Sequence, residues 1–351
     1  MILFISPFSL PAASSRRAYM LGKRFKERGY VMPYTDRYGR TENVDVITVK
    51  RGKKNPLYFV EVYNRLREIK PDMVYFLKPN PYSMLPALVY RILHRCGLVF
   101  DCDEWDPATL RDNNAPFYHV IVSRILSRIA ISVSSAVIIS NKKILKFVPE
   151  NHKKKIVYIP NGADTDFFRP SAKKTSGIFT VMYAGTLYKR EQVKPVIEAM
   201  RHVNEAELIV VGPGNTDELK KTAPKNVKFY GPVGHEKMPE VMSGADALIA
   251  TFPKLESLEY ASNMKVFEYM AMEKPIIATD TGEIKEILDG GLAGYIVSPE
   301  PERIAECINR IMENPDDAQR KAKRAREKVV REYDWNVLSN RLAKFLEVKN
   351  G

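Results

Sequence analysis

Short apolar runs rich in β-branched residues alternate along this chain with longer stretches whose apolar positions recur every three or four residues. The first kind suits buried strands and the second suits helices packed by one face. In the first half, strands are predicted at 2–6, 45–49, 73–76, 98–101 and 136–140. A helix is predicted over 14–28, with Ala18, Leu21 and Phe25 on one face and Gly29 as its stop. A second helix, apolar but carrying arginines, is predicted over 117–132. The second half restarts the alternation, with strands at 179–184, 207–211, 227–230, 247–250, 275–279 and 294–297. Between them fall helices at 193–200, 239–243, 264–272 and 283–288, and long helices run to the end. Such alternation is the mark of α/β units built on parallel sheets with crossover helices.

The two halves meet in a stretch of turn residues. Pro160, Asn161-Gly162 and Pro170 are followed by the polar tract Ser171-Ala172-Lys173-Lys174-Thr175-Ser176-Gly177, which reads as a turn and a linker. The boundary is placed at 165/166. Two similar units joined there would form a cleft. Ligands of open α/β sheets bind beyond the carboxyl ends of the strands, so facing ends would make a two-substrate site.

Composition narrows the class. The chain has 351 residues, 45% hydrophobic and 28% charged, as in a soluble globular protein of two domains. No apolar run approaches the roughly 20 residues of a membrane span. Ile2 to Ile5 has no basic stretch before it and is read as a first strand rather than a signal peptide. Cys96, Cys102 and Cys307 form no CxxC pair or metal spacing, so a reducing, cytoplasmic setting is expected. The net charge of +13 points to anionic partners: phosphate groups, nucleic acid or an acidic membrane surface. No zinc-finger spacing or RNA-binding aromatic motif is present, so nucleic acid is not expected as a partner. The basic run 320–331 reads as a solvated helix face.

Besides the glycine-bearing strand end Val210-Val211-Gly212-Pro213-Gly214, which by itself reads as a turn, four segments could carry chemistry. In the first, Asn263-Met264-Lys265-Val266-Phe267-Glu268 opens a helix. Its free N–H groups and positive dipole end suit a phosphate, Lys265 adds a full charge, and Glu268 could accept from a ribose diol. The same residues would also serve as a surface Lys–Glu pair. In the second, a strand ends at Gly185-Thr186, and Lys189 and Arg190 follow as a candidate diphosphate clamp or as solvated charges in a turn. The third is the small-residue loop after the first strand, which leads to Ser14, Arg16 and Arg17. The arginines could meet an anionic acceptor or donor phosphate, or stand as exposed helix charges. In the fourth, Asp101-Cys102-Asp103-Glu104-Trp105-Asp106 ends a strand in carboxylates. That group reads as a metal pair, as an acceptor base at Asp103, or as structural caps. No HExxH, GxSxG or P-loop pattern occurs.

With these segments in view, the chain resembles the retaining glycosyltransferases of the GT-B fold, glycosyltransferase family 4, also called group 1. The resemblance covers nearly the whole chain and is strongest in the second half. Ile159-Pro160-Asn161-Gly162-Ala163-Asp164-Thr165-Asp166-Phe167-Phe168-Arg169-Pro170 is similar to that family's interdomain segment. Lys265-Val266-Phe267-Glu268-Tyr269-Met270-Ala271 with Lys274-Pro275-Ile276-Ile277-Ala278-Thr279 looks like its donor-site helix and strand. Asn226-Val227-Lys228-Phe229-Tyr230-Gly231 matches the strand before its nucleobase pocket, and Tyr333-Asp334-Trp335 its C-terminal crossover.

The resemblance implies an α/β fold of GT-B type, two Rossmann-like domains with parallel sheets facing across a cleft. It implies an acceptor-side domain over 1–165, a donor domain over 166–334, and a helix over 335–351 packing back toward the first. Glu268 would bind the donor ribose. Lys265, Asn263 and Met264 would face the diphosphate and sugar, with Lys189 or Arg190 as the family's basic pair. Gly185 and Thr186 would adjoin the donor, and Gly231 to Val233 would flank the base. The sequence departs from the family where a Glu eight residues before Glu268 is replaced by Tyr260, and where an Arg after Gly185 is replaced by Thr186. The usual Gly-Gly of the first loop is Ala12-Ala13-Ser14, and Asp103 lies near the expected place of a first-domain His.

The expected function is transfer of a sugar from a nucleotide-sugar donor to an acceptor hydroxyl, with retention, in glycan, cell-surface polysaccharide or glycolipid synthesis. No cofactor and no divalent metal are expected. The partners are the donor, a glycan or lipid-linked acceptor, and an anionic membrane surface that helices 14–28 and 117–132 could meet from the cytoplasmic side. A sugar-nucleotide epimerase and a non-catalytic nucleotide-sugar binder are the competing readings.

Overall fold

The computed structural model describes residues 1–8, 12–34, 46–50, 57–171, 177–187 and 192–350. The chain forms two compact units. The first takes 1–161, 259–262 and 335–351, and the second takes 162–258 and 263–334. Each is built on a wholly parallel sheet with crossover helices.

In the first unit the strands are β1 (Ile2–Ile5), β2 (Arg28–Tyr34), β3 (Val46–Lys50), β4 (Met73–Leu77), β5 (Gly97–Cys102), β6 (Ala136–Ile139) and β7 (Ile156–Tyr158). Their order is β3-β2-β1-β4-β5-β6-β7, so the sheet winds outward in both directions from the β1/β4 pair. In the second unit the strands are β8 (Phe179–Ala184), β9 (Ala206–Val211), β10 (Val227–Gly231), β11 (Ala247–Ala250), β12 (Ile276–Thr279) and β13 (Tyr295–Val297). Their order, β10-β9-β8-β11-β12-β13, reverses between β8 and β11. At such a reversal the adjoining crossovers leave on opposite faces, so a crevice opens beyond the strand ends. Continuous apolar runs such as Met73–Leu77 and Ala247–Ala250 are buried along their whole length, as central parallel strands require.

Several expectations change. The helix expected over 14–28 ends at Gly22, and Gly29 lies inside β2 rather than stopping a helix. Just past that end, Arg28 of β2 donates to the carbonyls of Lys23 and Phe25. The Tyr30 hydroxyl of β2 fills the space beside Gly22, where a Cβ would stand 2.0 Å from it. Gly29 and Pro33 hide β2 in the sequence, because both weaken a strand pattern. Lys23, Arg24 and Lys26 therefore leave the helix, and the amphipathic membrane face expected there does not form.

Arg17 is a correction too. Expected to meet an acceptor, it is fully buried. Its Nε and Nη2 donate to the two Asp101 oxygens at 2.8 and 3.3 Å. The remaining donors go to the carbonyls of Ile159 and Pro160 and the Asn161 side chain. Tyr75 donates to the same Asp101 carboxylate. Every guanidinium N–H is used inside the protein, so none is left for a ligand. Burial pushes the Asp101 carboxyl up, and Arg17 works against that push. The charge-assisted fork ties the middle of the first crossover helix to β5 and to the chain leaving β7.

Residues 259–262, expected within the donor domain, pack in the first unit. Asn141 donates to the carbonyls of Glu259 and Ala261 at 3.1 and 3.0 Å, and Tyr260 is buried in the first unit's core. The helix Trp335–Asn350 also belongs here, and Ser339 on it donates to the Leu21 carbonyl at 2.6 Å. The basic run at 320–331 is only partly a solvated face. Arg326 donates to the carbonyls of Thr165, Phe168 and Ala271, and Lys328 is buried against Asp289 and the Glu286 carbonyl.

Arg17→Met should destabilise the protein by about 3–5 kcal/mol, because Asp101 is left as an unpaired buried charge. Adding Asp101→Asn should restore part of the loss. Urea unfolding at pH 7 reads both, and a single variant as stable as wild type would refute the anchoring role.

Candidate active site

The second unit assembles a site at its strand reversal. β8 ends at Ala184, and Gly185 follows with its N–H donating to the Val211 carbonyl at 2.9 Å. Gly212, at the end of β9, has φ +147°, and a Cβ there would lie 1.8 Å from the Gly185 carbonyl oxygen. Gly214, φ +146°, also meets Leu187 closely, with a Cβ position 2.7 Å from its side chain. Only glycine lets the two strand ends approach in this way. Gly212 in turn donates to the carbonyl of Gly231, which closes β10. Three strand ends are thus stitched into one ledge of nearly bare backbone.

Lys265 reaches over this ledge. It stands in the first turn of the helix Met264–Ala271, whose N-terminal Asn263 makes no side-chain capping bond. Its ammonium lies 3.0 Å from where a Cβ of Gly185 would stand. It is 4.6 Å from the Tyr183 ring and 4.9 Å from that of Phe252, and it donates to the Tyr183 hydroxyl at 3.4 Å. Tyr183 comes from β8 and Phe252 follows β11, so the cation sits between the two strands where the order reverses. The helix is fixed by Tyr269, whose hydroxyl donates to the Ala184 carbonyl and accepts from the Ala184 N–H. Burial pushes the Lys265 pKa down to about 8, while Glu268, one turn on, works the other way. A cation held among aromatic faces and bare backbone is under-solvated, so it would bind an anion strongly.

The structure thus brings together Gly185, Gly231, Lys265, Glu268, Asn263 and Met264. Thr186 is exposed just beyond Gly185, and Val233 packs on the core beyond Gly231. Lys189 and Arg190 lie outside the described residues. Sequence reading missed Tyr183, Phe252 and Tyr269. Each sits in an apolar run where an aromatic looks like ordinary core.

The first unit gathers charge at its own reversal. Lys78 follows β4 with φ +63°, and its buried ammonium pairs with Asp103 at 2.8 Å, Glu104 at 2.7 Å and Asp106 at 3.2 Å. Ser14 donates to Asp103 from the start of the first helix, and Arg16 beside it is half-buried. Burial opposes the Lys78 charge, but the three carboxylates outweigh it and hold its pKa well above the usual lysine value. Burial pushes the Asp106 carboxyl up to about 6 against the pull of Lys78. Asp101 and Asp103 are therefore each engaged by a different cation, Arg17 and Lys78. Among the described residues, no cluster of three or more His, Cys, Asp or Glu side chains has metal-holding geometry. Lys78 was invisible in the sequence, because its partners come from the next strand.

Residues 178–314 match the family model described as glycosyl transferases group 1. The chain carries a group 1 glycosyltransferase domain. That domain spans β8 to β13 and holds the whole ledge with Lys265 and Glu268. A phosphatidyl-myo-inositol mannosyltransferase of Mycobacterium tuberculosis is 26% identical over 212 residues, 56% of this chain and 54% of its own. A glycogen synthase of the same organism is 22% identical over 209 residues, 56% of this chain and 49% of its own. The chain spans about half the length of the curated relatives it matches. Among solved structures, sucrose-phosphate synthase from Thermosynechococcus elongatus superposes with TM-score 0.79 at 16% identity, over 99% of this chain and 98% of that one. Anabaena HepE in complex with UDP and glucose superposes with TM-score 0.77 at 17% identity, over 99% of both chains. The fold of the group 1 domain and of the unit before it is the GT-B type.

The ammonium of Lys265 titrates lower in the folded chain than in the unfolded one, so its burial opposes folding while both states are charged. Between about pH 8 and the ordinary lysine value of 10.5, the unfolded state binds the extra proton, and stability rises with pH. Lys265→Met should therefore stabilise the protein at pH 7, and the gain should shrink toward pH 10. Equal unfolding midpoints at pH 7 would show that this lysine is well solvated.

Proposed function

We propose that the protein is a glycosyltransferase that moves a sugar from a nucleotide-sugar donor to an acceptor hydroxyl. We further propose that it retains the anomeric configuration and works in glycan, cell-surface polysaccharide or glycolipid synthesis. The observation that carries the reading is the placement of Lys265, an under-solvated cation at a helix start beside bare strand-end backbone, with Glu268 one turn on. This is the chemistry a departing nucleoside diphosphate needs. The leaving oxygen gains negative charge, and a fixed ammonium and helix N–H groups stabilise it without reorganising. Lys189 and Arg190 would add charge from the segment after Gly185. With cations in that role, no divalent metal is required. Glu268 would accept from the ribose hydroxyls, and Gly231 to Val233 would flank the base. On the acceptor side, Asp103 is the candidate proton acceptor, with the donor phosphate itself as the alternative.

The test starts with binding. In a thermal-shift panel of UDP-, GDP-, ADP- and dTDP-sugars, one base should stabilise the wild type. HepE, solved with UDP and with UDP-glucose, makes the uridine compounds the first to try. Lys265→Ala and Glu268→Ala should each weaken that ligand by about tenfold or more, about 1.4 kcal/mol. Lys265→Ala should also lower turnover. Wild-type affinity and turnover in Lys265→Ala would refute the donor-site assignment.

We also propose an anionic membrane surface as partner, with a lipid-linked acceptor. No described helix is long and apolar enough to cross a membrane. The support is the helix Phe117–Val133, which buries Val120, Ser127, Ala130 and Ile131 and also exposes Phe117, Tyr118, Ile121, Val122, Ile125 and Ile129. An ordinary surface helix keeps its outward face polar. With Leu85, Ile92 and Leu93 on the helix Met84–His94, these two helices hold nine of the 16 exposed large apolar side chains described. Exposed Arg124 and Arg128 flank the apolar stripe and suit anionic headgroups. The wild type should co-sediment with phosphatidylglycerol vesicles at low salt. Ile121→Asp/Ile125→Asp should abolish this without unfolding. Equal sedimentation of variant and wild type would remove the membrane from the proposal.

A further inference from the structure

The group 1 domain contains a second concave site, away from the ledge in sequence and in the sheet. A cavity of about 510 Å³ opens beside β13, the last strand of its sheet, which pairs only with β12. This volume lies within the range of small-molecule pockets. Its walls come from three places. The turn at Gly290 and Gly291 has φ +64° and +101°, and a Cβ at either would meet nothing within 4 Å. The helix Pro301–Glu313 contributes Arg303, Cys307 and Arg310, spaced four and three apart, so they share one face. The helix Pro315–Lys328 contributes Lys321.

The cations converge on one aromatic. Lys321 lies 5.2 Å from the centre of the Tyr295 ring and Arg310 lies 5.9 Å from it. Tyr295 is 6% exposed and anchored by its hydroxyl, which donates to Asp317 at 3.2 Å. Lys321 is steered by donating to the Gly291 carbonyl. The Arg310 guanidinium has no hydrogen-bond or ion-pair partner among the described residues. Among the described residues, Glu306 is the only acidic side chain in the lining, and it pairs with Arg303 at 2.8 Å. Asp289, next to the glycine turn, is taken up by Lys328 and Arg324 instead. Among the described residues the lining therefore holds more cationic than acidic side chains, with Asp317 behind Tyr295 acting on Lys321. Burial pushes the Cys307 thiol up to about 12, so it is an apolar wall and not a nucleophile at neutral pH.

We propose that this cavity is a second binding site, for a small phosphate-bearing ligand. Arg310 and Lys321 grip the phosphate against the bare Gly290–Gly291 turn, and Tyr295 and Cys307 line the less polar side. The arrangement differs from the donor ledge in kind. Here Arg310 is exposed, and both cations stand on helices remote in sequence from Lys265, so a ligand would bind without disturbing Lys265.

Inorganic pyrophosphate is the probe, titrated calorimetrically into the full chain at low salt. The wild type should show binding that Arg310→Ala/Lys321→Gln weakens by at least about tenfold. Arg310→Glu, which leaves the Lys321–Gly291 hydrogen bond intact, should reproduce the loss in a protein of unchanged melting temperature. Lys265→Ala should retain this binding event whether or not it loses one of its own, so the cavity and the donor reading fail separately. Unchanged pyrophosphate binding in both cavity variants would overturn the proposal. So would an equal loss in Lys220→Glu, an exposed charge reversal outside the cavity, because that would make the effect one of overall charge.

Discussion

The Gly185 carbonyl occupies the space that any side chain at position 212 would need, and a Cβ there would lie 1.8 Å from it. This exclusion of a single carbon is what the ledge of the second unit depends on. It allows the ends of β8 and β9 to meet as backbone, and the next contact carries the line to Gly231 at the end of β10. A bulkier residue would part these ends, and the ledge over which Lys265 reaches would open. Tyr269 then fixes the helix that bears Lys265 by using both hydrogen-bonding capacities of its hydroxyl on Ala184. Position and charge at the site follow from these two devices.

The first unit solves a different problem, that of holding charge inside. Arg17 spends all its donors on Asp101 and on the chain around Ile159 to Asn161. Lys78 gathers three carboxylates from the end of β5. Buried ions of this sort are tolerable only when each is met by an opposite charge and by hydrogen bonds, and both groups meet that condition. The Lys78 group also orients Asp103, with Ser14 on its other side. Asp103 is a held carboxylate rather than a free one.

The excess of basic residues is distributed among several tasks. Arg17, Arg326 and Lys328 are internal fasteners, and the last two bind the final helices to the chain around Thr165 and Asp289. Lys265 serves the ledge. Arg124 and Arg128 border an apolar helix face, while Arg310 and Lys321 surround Tyr295. A net charge of +13 is thus a sum over unrelated physical roles, and the total alone identifies none of them.

Local pattern determined a great deal. Strands β8 and β11 fall where the apolar runs place them, as does the helix from Met264 that carries Lys265 and Glu268, because buried parallel strands and one-sided helices must write their periods into the sequence. The resemblance to group 1 glycosyltransferases was legible for a related reason: the residues that carry it are close together in the chain. Tertiary structure alone decided the rest. Gly29 and Pro33 conceal β2, and Arg17 turns inward because Asp101 waits 84 positions along the chain. Residues 259–262 join the first unit because Asn141 and the core around Tyr260 take them in. In each case the partner is remote in sequence, and no periodicity or composition records which distant side chain a residue will meet.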